Sequence, residues 1–223
     1  MKLGLIVECA CGGPDELVFR CLIERFWGST HVVHRVAAMV HKGKLIAEAG
    51  AVAATMMAQG CDLVLVVWDL HPGWAPPESL PRKGKVKRDC VVEANHVRRQ
   101  IDAAGVPREQ LLLLCIDDEL ESVLLADEAA IKAIIAQELK PRRAKPLGKS
   151  VADRSKDTLD LRFEEQGLVF FDREHDVRIL REAKAAKLLA TEPLQRLSRP
   201  DKLGAPVSDR DCAATAKAAG GRP

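Results

Sequence analysis

The chain has 223 residues, 47% of them hydrophobic and only 4% aromatic, with no Tyr and a formal net charge of +2. That is room for one large domain, or one domain with an appendage, around a core of Leu, Val, Ile and Ala. No apolar run approaches the ~20 residues that span a bilayer. The seven cysteines are odd in number and scattered, which argues against a disulfide framework, and Cys9-x-Cys11 has no second cluster at zinc-site spacing. Strand, turn and helix explain the N-terminal apolar run better than a signal peptide does, so a reduced, cytoplasmic protein without a membrane partner is expected.

The first strand runs over residues 2–8 and ends in Glu8. Gly12-Gly13 makes a turn, Pro14 suits a first helical position, and Val18, Cys21, Leu22 and Phe26 follow at helical spacing. Val32–Met39 reads as a second strand and residues 43–59 as a helix with Leu45, Ala49, Val52, Ala53 and Met56 on one face. Leu63–Val67 is a short unbroken apolar run leading through Trp68 to Asp69-Leu70-His71-Pro72-Gly73, the pattern of a strand buried on both faces and stopped by a turn. A Pro-rich loop with Arg82, Lys83, Lys85, Lys87 and Arg88 comes next, then a helix over about 88–104 and a strand over 110–116 ending in Asp117-Asp118-Glu119. From Leu120 to Ile135 the apolar residues share one helical stripe. Residues 140–160 read as a loop carrying Lys140, Arg142, Arg143, Lys145 and Lys149, and residues 176–197 as one helix.

This rhythm predicts an α/β fold: a mostly parallel, Rossmann-like sheet with helices on both faces, plus a helical C-terminal extension. The expected division is 1–135 for the α/β domain, 136–200 for a basic loop and helical extension packed on it, and 201–223 for a disordered tail. Three strands then deliver acids to one carboxyl-terminal rim, where open α/β sheets bind ligands. An acidic excess before residue 130 and a basic excess after it suit a metal site beside a polyanion surface.

Those residues resemble a Toprim domain. In that family a Glu ends the first strand before a Gly-containing turn, as Glu8 does before Gly12-Gly13, and an Asp-x-Asp ends a later strand, where Asp69-Leu70-His71 stands with His in place of the second Asp. The segment Glu119-Leu120-Glu121-Ser122-Val123-Leu124-Leu125-Ala126-Asp127 is similar to a group of small bacterial Toprim-like proteins related to the overcoming-lysogenization-defect nucleases, and Lys156 and Leu194-Gln195-Arg196-Leu197 fit it loosely. The resemblance implies a metal-dependent nuclease working with an ATPase in phage defence.

On that reading Glu8, Asp69 and His71 are catalytic, and Glu8, Asp69, Asp118, Glu119 and Glu121 hold Mg²⁺ or Mn²⁺, hard cations that take carboxylate oxygens. Arg82, Lys83, Lys85, Arg142, Arg143, Lys149 and Lys156 would contact nucleic acid, DNA being the expected kind; a homo-oligomer is compatible with the sequence, which does not fix the oligomeric state. His71 also favours an alternative, a catalytically weak module that binds a partner or nucleic acid. A third arrangement, the receiver domain, requires a Lys at the last strand end, and none follows Ile116. If the two basic runs meet phosphates, neutralising Arg82–Arg88 and Lys140–Lys149 weakens DNA binding and flattens its salt dependence. An unchanged salt slope in a filter-binding titration would make both runs ordinary solvated loops.

Overall fold

The computed structural model describes residues 1–76, 86–140, 142–147, 154–183, 186–197 and 214–216. Four strands, β1 (Lys2–Val7), β2 (Val32–Ala38), β3 (Leu63–Asp69) and β4 (Leu111–Ile116), alternate with α1 (Pro14–Trp27), α2 (Lys42–Ala58) and α3 (Cys90–Ala103). The order is β2-β1-β3-β4, extended by the short β5 (Ala214–Ala216), and every pairing is parallel. After β4 come α4 (Leu120–Leu125), α5 (Glu128–Leu139), α6 (Ser155–Glu164), α7 (Asp172–Glu182), α8 (Ala186–Leu189) and α9 (Glu192–Leu197). Among the described residues, no helix is long and apolar enough to cross a membrane.

Alternation along the strands sorts the core into two layers. Leu3, Leu5, Val7, Leu63, Leu65, Val67, Leu112, Leu114 and Ile116 face α1 and the helices that follow β4. Ile6, Val64, Val66, Trp68, Leu113 and Cys115 face α2 and α3. The sheet is therefore covered on both faces, which is why its central strands read as unbroken apolar runs. By the same parity Asp69 continues the α1 side of β3, and Trp68 lies on the α2–α3 side.

Three expectations need correction. The stripe from Leu120 to Ile135 is two helices, because the Asp127 side chain accepts a hydrogen bond from Ala130 N at 3.2 Å and caps a new helix there. The 140–160 loop ends early: Ser155–Glu164 is helical and buries Leu159 and Phe163 in the α1-side core, an i, i+4 pair hidden among charged residues. The helix expected over 176–197 begins at Asp172 and stops where Ala183 turns extended (ψ 148°), with α8 and α9 following as short separate pieces. Most of the 201–223 tail lies outside the described residues, and within it Ala214–Ala216 adds to β4.

The α2–α3 contact leaves no room at Gly50, where a Cβ would lie 2.1 Å from the Gln100 carbonyl oxygen. Gly50→Ala is expected to destabilise the protein by about 1–3 kcal/mol through overpacking, as measured by urea denaturation. An unchanged midpoint would mean that the two helices are not packed this closely.

Candidate metal centre

Parallel pairing sets the ends of β1, β3 and β4 side by side, in register from Val7 opposite Val67 to Asp69 opposite Ile116. Glu8 follows β1 directly, and its Oε2 accepts a hydrogen bond from Asp69 N at 3.3 Å. The turn after Glu8 needs Gly12, whose φ of 67° is open to glycine at no steric cost. It closes through Gly13 N to Ala10 O at 2.8 Å. On the β4 side, Leu70 N donates to Ile116 O and His71 N to Asp118 O, both at 2.8 Å. These bonds bring Glu8, Asp69 and His71 to one rim, where Glu119 lies 3.5 Å from His71 and the charges of Glu119 and Glu121 reach Asp69.

The carboxylates divide by whether a cation already answers them. Asp118, at φ 76°, accepts from Arg88 Nη1 at 2.8 Å and from Ser155 Oγ at 2.7 Å, so both of its oxygens tie the approach to α3 and the start of α6 to the rim. Glu119, 5% exposed, is forked by Arg154 Nε and Nη2 at 2.9 and 2.6 Å and accepts from Lys156 N at 3.4 Å. His71 Nδ1 lies 3.5 Å from Glu119 Oε1 and is buried without a hydrogen-bond partner. Lys156 Nζ pairs with Asp172 Oδ2 at 2.7 Å.

The others are less fully compensated. Burial pushes Glu8 up to about 7, against the pull of the Lys42 ammonium. It pushes Glu121 to about 7, with the neighbouring Glu119 carboxylate adding to the rise. Asp69 is raised well above the carboxylate range by burial and then by the charges of Asp15, Glu8, Glu121 and Glu119. Asp15, on α1, is raised by burial to about 6, although Cys9 hydrogen-bonds to it. Asp176, on α7, is fully buried with neither oxygen hydrogen-bonded, and burial, then Glu121 and Asp172, raise it to about 9.

Sequence reading missed Asp15, Asp172, Asp176 and Arg154. Asp15 reads locally as a first-turn acid and Asp176 as the start of a helix; only the packing of α1, α6 and α7 beside the rim shows more. Of the residues expected to meet nucleic acid, Arg142 and Arg143 are exposed after α5 and Lys156 sits among the carboxylates. Arg82, Lys83, Lys85 and Lys149 lie outside the described residues.

A second grouping able to hold a divalent cation lies on α5 and α7, where ligand atoms of Glu138, Glu174 and His175 fall within 4.8 Å of one another. Arg178 already bonds both Glu138 and Glu174, and His175 Nδ1 accepts from Phe171 N at 2.8 Å, so a cation there competes with a guanidinium. Among the described residues this is the grouping whose ligand atoms come that close; at the rim Glu8, Asp69 and Glu121 offer hard oxygens set further apart, with the orphaned oxygens of Asp176 in the field of Glu121.

The fold and rim define a parallel α/β protein with a carboxylate-lined sheet edge. No family model, curated protein or solved structure matches the chain.

Raised carboxyl pKa values set the sign of the pH dependence. Below about pH 3 these groups are protonated whether the chain is folded or not. Above that, the unfolded chain ionises while the folded one keeps its protons, so stability falls as pH rises, until the folded values of about 7 for Glu8 and Glu121 and about 9 for Asp176 are passed. The melting temperature of the cation-free protein is expected to drop between pH 5 and 9, and Mn²⁺ to raise it more at pH 8 than at pH 5. A flat profile by differential scanning calorimetry would contradict the buried, repelling carboxylates.

Proposed function

We propose that the chain is a divalent-metal-dependent phosphodiesterase acting on nucleic acid, with DNA as the expected substrate. The observation that carries this reading is the gathering of Glu8, Asp69 and Glu121 at one rim, where Asp69 stands in the field of the other two and burial raises all three. A divalent cation, when bound, supplies Lewis-acid polarisation of the phosphodiester and a more acidic water. Glu8, Asp69 and Glu121 would hold it. Glu8 also suits proton transfer, since a group titrating near 7 takes and returns a proton readily at neutral pH. Glu119, fixed by Arg154, lies 3.5 Å from His71 Nδ1 on the same rim. The imidazole of His71 tolerates Mn²⁺ better than Mg²⁺. Of the cations expected to meet phosphates, Arg142 and Arg143 are exposed and Lys156 is paired with Asp172. A Toprim-like lineage, an ATPase partner and a setting in phage defence are supported by the resemblance alone.

His71 in place of an oxygen ligand, and the Arg154 fork on Glu119, favour the second reading, a catalytically weak module that binds a partner or nucleic acid.

Nicking of supercoiled plasmid separates the two. The wild-type chain is expected to nick with Mn²⁺ at least as well as with Mg²⁺. Glu8→Ala and Asp69→Ala should each lower the rate by about a hundredfold or more, since even outer partners of a metal cost 10–100-fold when lost. Glu174→Ala, in the α5–α7 grouping, should leave the rate unchanged. Wild type and Glu8→Ala behaving alike would replace the enzyme with the binding module.

A further inference from the structure

The loop that carries His71 away from the rim is held from the other face of the sheet. Lys42, the first residue of α2, is 4% exposed, and Glu93 of α3 is fully buried. Lys42 Nζ donates to Pro72 O at 2.5 Å and lies 3.5 Å from Glu93 Oε2. Glu93 Oε2 accepts from Trp68 Nε1 and Oε1 from Trp74 N, both at 2.9 Å. One buried ion pair thus grips β3 before Asp69, the loop at Pro72 and the loop again at Trp74.

The chain reaches this arrangement through strain. Val40 has φ 73°, an outlying conformation for a β-branched residue. Strain of that kind persists only where the surroundings impose it, and it gathers at functional sites. Val40 N bonds to Cys9 O at 3.0 Å, which ties this corner to the turn after Glu8. His41 then caps α2, its Nδ1 accepting from Lys44 N at 3.1 Å. Lys42 is thereby turned inward, between the Glu8 corner and the His71 loop. Its charge reaches Glu8, where it opposes the effect of burial. Stability alone does not account for the pair, because an apolar pair of similar volume would commonly serve as well.

We propose that Lys42 is a positioning residue for the rim: paired with Glu93, it anchors the Leu70–Trp74 loop and so holds His71 and the Glu8–Asp69 contact in the geometry that receives a divalent cation. This inference rests on the metal reading above. Lys42 itself touches neither cation nor substrate; it acts through Pro72 and Glu93.

The double variant Lys42→Met, Glu93→Gln removes both charges together and leaves no buried ion unanswered. Calorimetric titration of the full chain with Mn²⁺ should show affinity weakened about tenfold or more, as for other outer partners of metal ligands. At Glu8 the Lys42 charge outweighs that of Glu93, so the titration is repeated at several pH values. A weakening caused only by Glu8 protonation fades as pH rises, whereas lost positioning persists, and a loss that vanishes at high pH also overturns the proposal. An affinity that is unchanged or tighter in a variant with wild-type circular dichroism overturns the proposal. Hydrogen exchange of the wild-type chain, read by mass spectrometry, tests it without any substitution. Mn²⁺ should slow exchange at Asp69 and His71 on the rim and also at Trp74 and Leu45, on either side of the anchor. Protection confined to the rim overturns the anchor and leaves the metal reading standing. No protection by Mn²⁺ anywhere removes both.

Discussion

Carboxylates crowded at the edge of a dry sheet are the constraint on which the remaining structure turns. Desolvation makes each ionised carboxylate costly, and each neighbour of like charge adds to that cost. The fold answers part of it with its own cations, Arg88 on Asp118, Arg154 on Glu119 and Lys156 on Asp172, and with the Ser155 hydroxyl on Asp118. Glu8, Asp69, Glu121 and Asp176 remain, and burial drives all four upward. A core selected for stability alone would not keep a fully buried Asp with both oxygens unbonded.

The helices after β4 belong to this arrangement as much as the sheet does. Lys156 and Arg154 come from the start of α6 and Asp172 and Asp176 from α7, whose Ile179 and Leu180 pack in the core that buries Leu3, Leu5 and Val7. The apolar side of the extension docks it, and its polar side then meets the rim from the flank opposite α2 and α3. The Leu124-Leu125-Ala126-Asp127 segment has a plainer part: it ends one helix and, through the Asp127 carboxylate, caps the next.

Across the sheet the chemistry changes. The α1 face at the rim is acidic, whereas the α2–α3 face meets β3 through Trp68, Glu93 and Lys42. Glu8 stands between the two, bonded to the Asp69 amide and within the field of Lys42. The loop through His71 joins the same two environments, with Asp118 O at one end and Glu93 at the other.

By itself the sequence determined the parallel α/β class, the four main strands and the acids at three of their ends. A strand buried on both faces is a short unbroken apolar run, and the polar residue that stops it marks the rim. Glu8, Asp69 and the Asp117–Glu121 cluster were legible for that reason. Tertiary structure alone decided the order β2-β1-β3-β4, because parallel pairing joins residues distant in sequence. It also decided which acids are neutralised and which are not. Asp15 and Asp176 look locally like ordinary helix acids and Lys42 like an ordinary surface lysine. What sets them apart is the loss of water around them and the charges brought near by packing, and neither is written in the residues beside them in the chain.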